Sequence, residues 1–276
     1  MIVDAHHHLW DPAVRTYPWM AGDALAPIRR AYTLADLRVA AGDRVGATVL
    51  VQTVSSVTET EEFLATAEAS AGLVAGVVGW VDLTRPDVDV ELDRLRAGPL
   101  VGVRHQVEDE PDPDWLLRDE VTRGLADLGA RGLAYDILVR APQRAAALAT
   151  VRRCDDVRFV IDHAGKPAIG SGEWEPWASW IVAMARCEGV VCKLSGLITE
   201  AVWDDWDATR IRPYAEHVLS AFGADRVMFG SDWPVCELAG CYRDVLALTD
   251  ELLAGCTAIE RAAVLGGTAR RVYALP

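Results

Sequence analysis

The chain has 276 residues, of which 51% are hydrophobic and 25% are charged, and its formal net charge at pH 7 is −14. This acidic balance, without a long basic run, argues against nucleic acid or an anionic membrane surface as a partner. No stretch of about 18 uninterrupted apolar residues is present, so we expect no membrane span.

The N-terminus and the cysteines indicate the compartment. We expect no signal peptide, because the N-terminus lacks a charged leader followed by a suitable apolar stretch. None of the six cysteines forms a C-x-x-C motif. In a chain of this size we expect free thiols and a reducing, cytoplasmic location. Nucleotide binding has no support, since neither a G-x-G-x-x-G nor a P-loop motif occurs.

Short apolar runs recur along the chain and are dense in Val, Ile, Leu or Ala, as in strands that are covered on both faces. The predicted strands are 2–6, 47–52, 74–80, 100–105, 133–138, 157–162, 190–194 and 227–231. Amphipathic segments separate these runs. The predicted helices are 87–97, 114–128, 141–153, 175–188, 212–222 and 241–254, with one more in the tail from Thr257 to Tyr273.

Two further helices are indicated by their starts. Thr33 has the character of an N-cap residue for the segment that it opens, and Thr58-Glu59-Thr60-Glu61 is interpreted as a capping box before a helix to about Ala71. Eight strands that alternate with eight or more helices predict an α/β fold, the (β/α)8 TIM barrel. A doubly wound open sheet is the alternative. No linker divides the chain, so we expect a single domain over residues 1–276.

The first strand carries the clearest chemical signal, because Asp4, His6 and His8 lie on one face if the side chains alternate strictly. Two imidazoles at this spacing can reach a common metal ion or a common substrate oxygen. His7 points to the other face and is interpreted as structural. For Asp4 two interpretations stay open, a metal ligand and a buried hydrogen-bonding anchor.

Other polar residues fall at the ends of predicted strands, where the chemistry of such barrels is located. They are Gln52, Arg104, His105, His163, Lys166, Lys193 and Asp232. Each one has a structural alternative: a core histidine for His163, an ion pair for Arg104 or Lys193, and a turn cap for Asp232. Packing alone does not explain polar residues at so many successive strand ends, so this ring favours an active site.

Aromatic residues in the predicted loops are candidates for contact with a ring-shaped substrate. Tyr17 and Trp19 lie in the loop at 7–32, and Trp80 is the last residue of the third predicted strand. Five more tryptophans crowd two later loops, and we expect them to pack the loops; stacking on a sugar ring is the alternative. These five are Trp174, Trp177, Trp180, Trp203 and Trp206.

Five segments together resemble one protein family. They are Asp4-Ala5-His6-His7-His8-Leu9-Trp10, Gly102-Val103-Arg104-His105, Asp162-His163-Ala164-Gly165-Lys166-Pro167, Lys193-Leu194-Ser195-Gly196-Leu197 and Gly230-Ser231-Asp232-Trp233-Pro234. In combination they are similar to the amidohydrolase-2 (amidohydrolase-related) family of the amidohydrolase superfamily, and particularly to its sugar-lactonase branch. The resemblance implies a barrel-shaped hydrolase that opens the ester ring of a sugar lactone.

The resemblance also implies a metal site, and here the sequence departs from the superfamily. Many members carry a lysine or glutamate after the fifth strand to bridge two metals, whereas residues 133–137 contain neither, and the expected second histidine is missing as well. The remaining ligands, His6, His8, His163 and Asp232, suffice for one divalent ion, zinc or manganese. Catalysis without a metal is the alternative, because the branch is thought to include such members.

The expected mechanism follows from these residues. Asp232 is the general base, while Arg104, His163 and Lys166 stabilise the developing oxyanion. Tyr17, Trp19, Gln52, Trp80, His105 and Lys193 are the expected substrate contacts. Two other functions stay open: a mononuclear metal-dependent amidohydrolase or decarboxylase that acts on a small carboxylated substrate, and a non-catalytic barrel that binds a sugar acid. The sequence does not identify the lactone and leaves a homo-oligomer open.

Overall fold

The computed structural model describes every residue from Met1 to Pro276. Eight parallel strands form one sheet in chain order. They are β1 Ile2–His7, β2 Val45–Val51, β3 Val74–Gly79, β4 Leu100–His105, β5 Ala134–Ile137, β6 Arg158–Ile161, β7 Val190–Leu194 and β8 Val227–Phe229. The segment after β8 returns to β1, where Asp232 N donates to His6 O at 2.8 Å and His8 N donates to Trp233 O at 2.7 Å. The predicted (β/α)8 barrel is confirmed, and the open-sheet alternative is wrong.

Helices follow the strands and cover the outside of the barrel. They are α1 Leu34–Ala41, α2 Val57–Ala69, α3 Val88–Leu95, α4 Asp119–Ala130, α5 Arg144–Arg153, α6 Trp177–Ala185, α7 Ala208–Phe222, α8 Tyr242–Leu252, α9 Ala258–Ala262 and α10 Thr268–Val272. The predicted single tail helix is divided, because a turn of π-helix at Ala263–Gly267 separates α9 from α10. None of the helices is both long and apolar enough to cross a membrane.

The two predicted helix starts have different outcomes. Thr33 caps α1 as expected, and its capping box with Asp36 is complete. The capping box at Thr58 is wrong, because Ser56 is the N-cap of α2 and accepts from Glu59 N at 3.3 Å. The Glu59 carboxylate instead accepts from Thr53 N at 2.8 Å and therefore braces the loop after β2.

The apolar core has two parts. The larger part fills the space between the strands and the helices. The smaller part collects inward-facing strand residues, among them Val3, Val49 and Val160, together with the C-terminal residues Ala269, Val272, Tyr273 and Leu275. The end of the chain thus packs into one end of the barrel interior. All six cysteines are free, which confirms the expectation of free thiols.

Candidate active site

Three of the predicted functional side chains meet at the carboxyl ends of the strands. His6 Nε2 lies 3.2 Å from His8 Nε2, and Asp232 Oδ1 lies 3.8 Å from the first and 3.5 Å from the second. His163, from the loop after β6, brings its Nδ1 to 4.0 Å from Asp232 Oδ2. Residues that are more than 200 positions apart in the chain therefore surround one point, as the strand-end pattern predicts.

A bulge in β1 produces this placement and corrects the predicted alternation. Asp4 pairs with Thr48 and His7 with Leu50, so β1 advances three residues while β2 advances two. Asp4 consequently points away from the histidines and accepts hydrogen bonds from Ser231 Oγ at 2.6 Å and Tyr242 Oη at 2.7 Å. The anchor interpretation of Asp4 is confirmed.

His7 and His8 are oriented by their hydrogen bonds. His7 Nε2 lies 2.9 Å from Thr48 Oγ1, as its predicted structural role requires. His8 Nδ1 lies 2.8 Å from the carbonyl oxygen of Val51, which can only accept, so Nδ1 must carry the proton. Burial lowers the pKa of His8 to about 3, and the ring is neutral. Its Nε2 lone pair therefore faces His6 and Asp232.

Asp232 has the features of an available base. Its carboxylate is buried but accepts no hydrogen bond from the chain, and burial raises its pKa. The backbone is left-handed there, with φ 55°, a strained conformation for a residue other than glycine. Gly230 allows the close approach that holds this turn, because a Cβ atom at Gly230 would lie 2.7 Å from His6 Cβ.

The loop after β6 presents His163 and Lys166 through four consecutive left-handed residues, His163 to Lys166, with φ between 51° and 70°. Each residue other than glycine costs roughly 1–2 kcal/mol in this conformation. The carbonyl groups of the run are held from the helix layer. Trp177 Nε1 donates to Ala164 O at 2.7 Å, and Arg144 Nη2 donates to Gly165 O and Lys166 O at 3.0 and 2.8 Å.

The donor atoms fit one divalent metal ion. In a tetrahedral site with metal–nitrogen bonds of 2.0–2.1 Å, ligand atoms lie about 3.3–3.4 Å apart. The separations among His6 Nε2, His8 Nε2 and Asp232 Oδ1 are 3.2, 3.8 and 3.5 Å, a range that includes this value. Behind each donor the second ring nitrogen has a polar neighbour: Asp162 Oδ1 lies 3.2 Å and Lys193 Nζ 3.1 Å from His6 Nδ1, and the Val51 carbonyl accepts from His8 Nδ1. His163 belongs to a second possible set of ligands, with His6 and Asp162. The predicted fourth ligand is therefore not part of the first set.

A buried ionic network lies beneath these ligands. Lys193 is fully buried, and its Nζ lies 2.5 Å from Asp136 Oδ2, 2.9 Å from Asp162 Oδ1 and 3.1 Å from His6 Nδ1. Arg104 Nη1 donates to Asp162 Oδ2 at 3.0 Å. Burial acts to raise the pKa of Asp162, but the charge of Lys193 and the contact with His6 outweigh it and hold the pKa well below its usual value.

A cavity of about 300 Å³ opens above the network. Of the predicted site residues, His8, Trp19, Arg104, His163, Lys166 and Asp232 line it. The other predicted substrate contacts do not line this cavity. Lys193 is bound in the ionic network, and Gln52 Oε1 accepts from Arg104 Nη2 at 2.9 Å. Tyr17 Oη accepts from Asp11 N at 3.2 Å.

Trp80 and His105 do not line the cavity either. Trp80 Nε1 donates to His105 Nδ1 at 2.9 Å, and His105 Nε2 lies 2.7 Å from Glu110 Oε1. The His105 ring stacks on Trp115 with 4.1 Å between the ring centroids. These contacts engage both nitrogens of His105 and leave neither available to a substrate.

Sequence reasoning missed the charged wall of the cavity. Lys166 Nζ donates to both Glu108 oxygens, at 2.8 and 2.6 Å, and Arg140 Nε lies 3.0 Å from Glu108 Oε2. Glu200 accepts no hydrogen bond through its side chain and lies 3.9 Å from Lys166 Nζ. Trp203 also lines the wall. Their position in the sequence could have identified the two glutamates, because Glu108 and Glu200 lie in the segments that directly follow β4 and β7.

Comparison with known proteins assigns the family. The sequence pattern of the amidohydrolase family matches residues 3–275. The chain belongs to the amidohydrolase family. This amidohydrolase is 37% identical to the L-fucono-1,5-lactonase of Burkholderia multivorans, over 99% of this chain and 96% of the relative. It is also 37% identical to the L-fucono-1,5-lactonase of Burkholderia ambifaria, over 98% and 94% of the two chains.

A solved structure agrees with this assignment. The amidohydrolase superposes on a crystal structure of an amidohydrolase from Burkholderia multivorans with bound zinc, with a TM-score of 0.92 and 38% identity over the whole of both chains. The family predicted from the five motifs is therefore confirmed.

Lys193 offers a test of the buried network. Replacing Lys193 with methionine removes the ammonium and leaves Asp136 and Asp162 buried without it. Breaking a buried ion pair from one side costs about 3–5 kcal/mol, so the free energy of unfolding in urea should fall by that amount. Lys166→Met is the matched control, because Lys166 retains 13% exposure at the cavity wall and should lose less than half as much. Equal losses would contradict the assigned role of Lys193.

Proposed function

We propose that this amidohydrolase opens the ester ring of a sugar lactone by general-base activation of water. The observation that carries the proposal is the Asp232 carboxylate, which is buried, free of hydrogen bonds and adjacent to His6 and His8 at the cavity floor. The relatives that match almost the full length of the chain are L-fucono-1,5-lactonases, which supports a lactone as substrate.

In the proposed reaction, Asp232 takes a proton from a water molecule while the water oxygen attacks the lactone carbonyl carbon. The carbon–oxygen bond of the ring then breaks, and Asp232 returns the proton to the departing ring oxygen. The products are a carboxylate, after loss of its acidic proton, and a free hydroxyl on the opened sugar acid. In the protein without a bound ion, burial raises the pKa of Asp232, which suits both proton transfers better than the pKa of an exposed aspartate.

Arg104 is the candidate for stabilising the oxyanion that develops on the carbonyl oxygen, and it acts through its positive charge. Its guanidinium lines the cavity, while its N–H groups are already engaged by Gln52, Asp162 and His6. His163 is the second candidate, because it borders the cavity and lies near Asp232. Lys166 is less available than predicted, since its ammonium already binds Glu108.

We further propose one divalent ion, zinc or manganese, held by His6, His8 and Asp232. The separations of the three donor atoms and the zinc in the related crystal structure support this site. Such an ion polarises a carbonyl group and lowers the pKa of water.

The six free thiols support a reducing, cytoplasmic compartment for the enzyme.

The charged wall favours a neutral sugar lactone over a carboxylated substrate. Lys166 and Arg140 both pair with Glu108, so neither cation is free for a substrate carboxylate. Glu200 lies 3.9 Å from each of these cations and accepts no hydrogen bond through its side chain, so its oxygens can accept from the hydroxyls of a sugar ring. This balance argues against the alternative of an amidohydrolase or decarboxylase for carboxylated substrates.

The role of Asp232 is tested by Asp232→Asn, which keeps the shape of the side chain and removes the base. We expect kcat for L-fucono-1,5-lactone to fall roughly 10²–10⁴-fold, as is typical for loss of a general base. Proton release at a pH indicator measures the turnover, and circular dichroism checks the fold. Asp205→Asn, an exposed aspartate at 71% exposure, is the matched control. Near-normal turnover by Asp232→Asn would refute the mechanism.

Metal removal tests the proposed ion. Protein stripped with a chelator should regain about one equivalent of zinc or manganese per chain, and His8→Ala should bind at least about tenfold more weakly because one of three ligands is lost. Isothermal titration measures both quantities. Lactone turnover should follow the metal content. Full turnover by stripped protein would refute the need for a metal and leave the role of Asp232 standing.

Glu200→Gln tests the hydroxyl-binding wall. A hydrogen bond to a charged group contributes about 1.5–3 kcal/mol, so kcat/KM for L-fucono-1,5-lactone should fall about 10–100-fold. For δ-valerolactone, which has no ring hydroxyl, kcat/KM of Glu200→Gln should stay within about twofold of the wild-type value, because neither protein can form this hydrogen bond with it. Glu216→Gln, an exposed glutamate on α7, is the matched control. Equal losses on both lactones would exclude a hydroxyl contact.

A further inference from the structure

The C-terminal helix reaches the metal site from below through Tyr273. The Tyr273 hydroxyl lies 2.9 and 2.8 Å from the two oxygens of Asp136. Asp136 in turn accepts from Lys193 Nζ, which lies 3.1 Å from His6 Nδ1. All four side chains are buried in the barrel interior. A continuous line of polar contacts therefore joins the last residues of the chain to a proposed metal ligand.

His6 can adopt two neutral forms in this environment. Asp162 Oδ1 lies 3.2 Å from Nδ1 and can only accept, whereas the ammonium of Lys193 lies 3.1 Å from the same nitrogen and can only donate. If Nδ1 carries the proton and donates it to Asp162, the Nε2 lone pair faces His8 and Asp232. If Nδ1 accepts from Lys193, Nε2 carries the proton and points it at His8 Nε2, 3.2 Å away.

Only the first form of His6 can bind a metal through Nε2. Arg104 Nη1 lies 3.3 Å from His6 Nε2 and can only donate, which favours the first form. The position of the Lys193 ammonium decides how strongly the second form competes. Asp136 draws the ammonium away from His6, and Tyr273 is the group that fixes the Asp136 carboxylate from the other side. We infer that Tyr273 is a positioning residue that, through Asp136 and Lys193, keeps His6 in its metal-binding form. This inference rests on the metal site proposed above.

Tyr273→Phe tests the inference because it removes the hydroxyl and keeps the ring in the core. Groups that support metal ligands from behind typically alter affinity or activity 10–100-fold, so zinc affinity and kcat should each fall about tenfold. KM for the lactone should change less than about twofold, because Tyr273 does not touch the cavity. Chelator competition measures zinc affinity. Nitrogen-15 NMR of the histidine rings of zinc-free protein should show more of the Nε2-protonated form of His6 than in the wild type.

Tyr214→Phe is the matched control, since its hydroxyl binds the Glu173 carbonyl at 3.2 Å outside the barrel, and it should leave all these quantities unchanged. Wild-type zinc affinity and an unchanged His6 form in folded Tyr273→Phe would overturn the inference. A loss of kcat without a loss of zinc affinity would overturn it as well. Failure of the wild-type protein to bind zinc would instead refute the proposed metal site, so the two failures are distinguishable.

Discussion

The buried ammonium of Lys193 is the interaction on which the active site depends. Neighbouring strands β5 and β6 each direct a carboxylate into the barrel, and two such groups without a cation would repel each other and take up protons. Lys193, from β7, lies between Asp136 and Asp162 and allows both to stay charged. Because Asp162 also contacts His6 and Arg104, this one cation organises the proposed metal ligand together with the cation proposed to stabilise the oxyanion.

Strain is concentrated directly above this network. Asp232 and the run from His163 to Lys166 are left-handed, and neither turn would form in an isolated peptide at low cost. Each is fixed by contacts from elsewhere: the Asp232 amide by the His6 carbonyl, and the His163 loop by Trp177 and Arg144. The helix layer thus contributes to catalysis by holding loop carbonyls, while the strand ends carry the reacting groups.

The sequence predicts the barrel and the ends of its strands well, because strands buried on both faces have dense apolar runs. It identifies His8, His163 and Asp232 for the same reason, since these follow such runs directly. It does not predict which polar side chain at a strand end is captured by a neighbour. Gln52 binds Arg104, and His105 binds Glu110. Lys193 binds two aspartates, so none of the three side chains lines the cavity. Glu108 and Glu200 lie in aperiodic loops and give no pattern, although the chain's two lysines, Lys166 and Lys193, both contact the site.

The charge of the whole protein fits the proposed reaction. A formal charge of −14 would repel an anionic substrate, but a neutral sugar lactone approaches without that penalty. Hydrolysis then converts the neutral ring into a carboxylate, within a cavity where Lys166 and Arg140 are already paired with Glu108. The new carboxylate lies next to Arg104, while the carboxylates of the cavity wall and the acidic surface repel it. Release of the product therefore depends on the balance between the positive charge at the cavity floor and the negative charge around it.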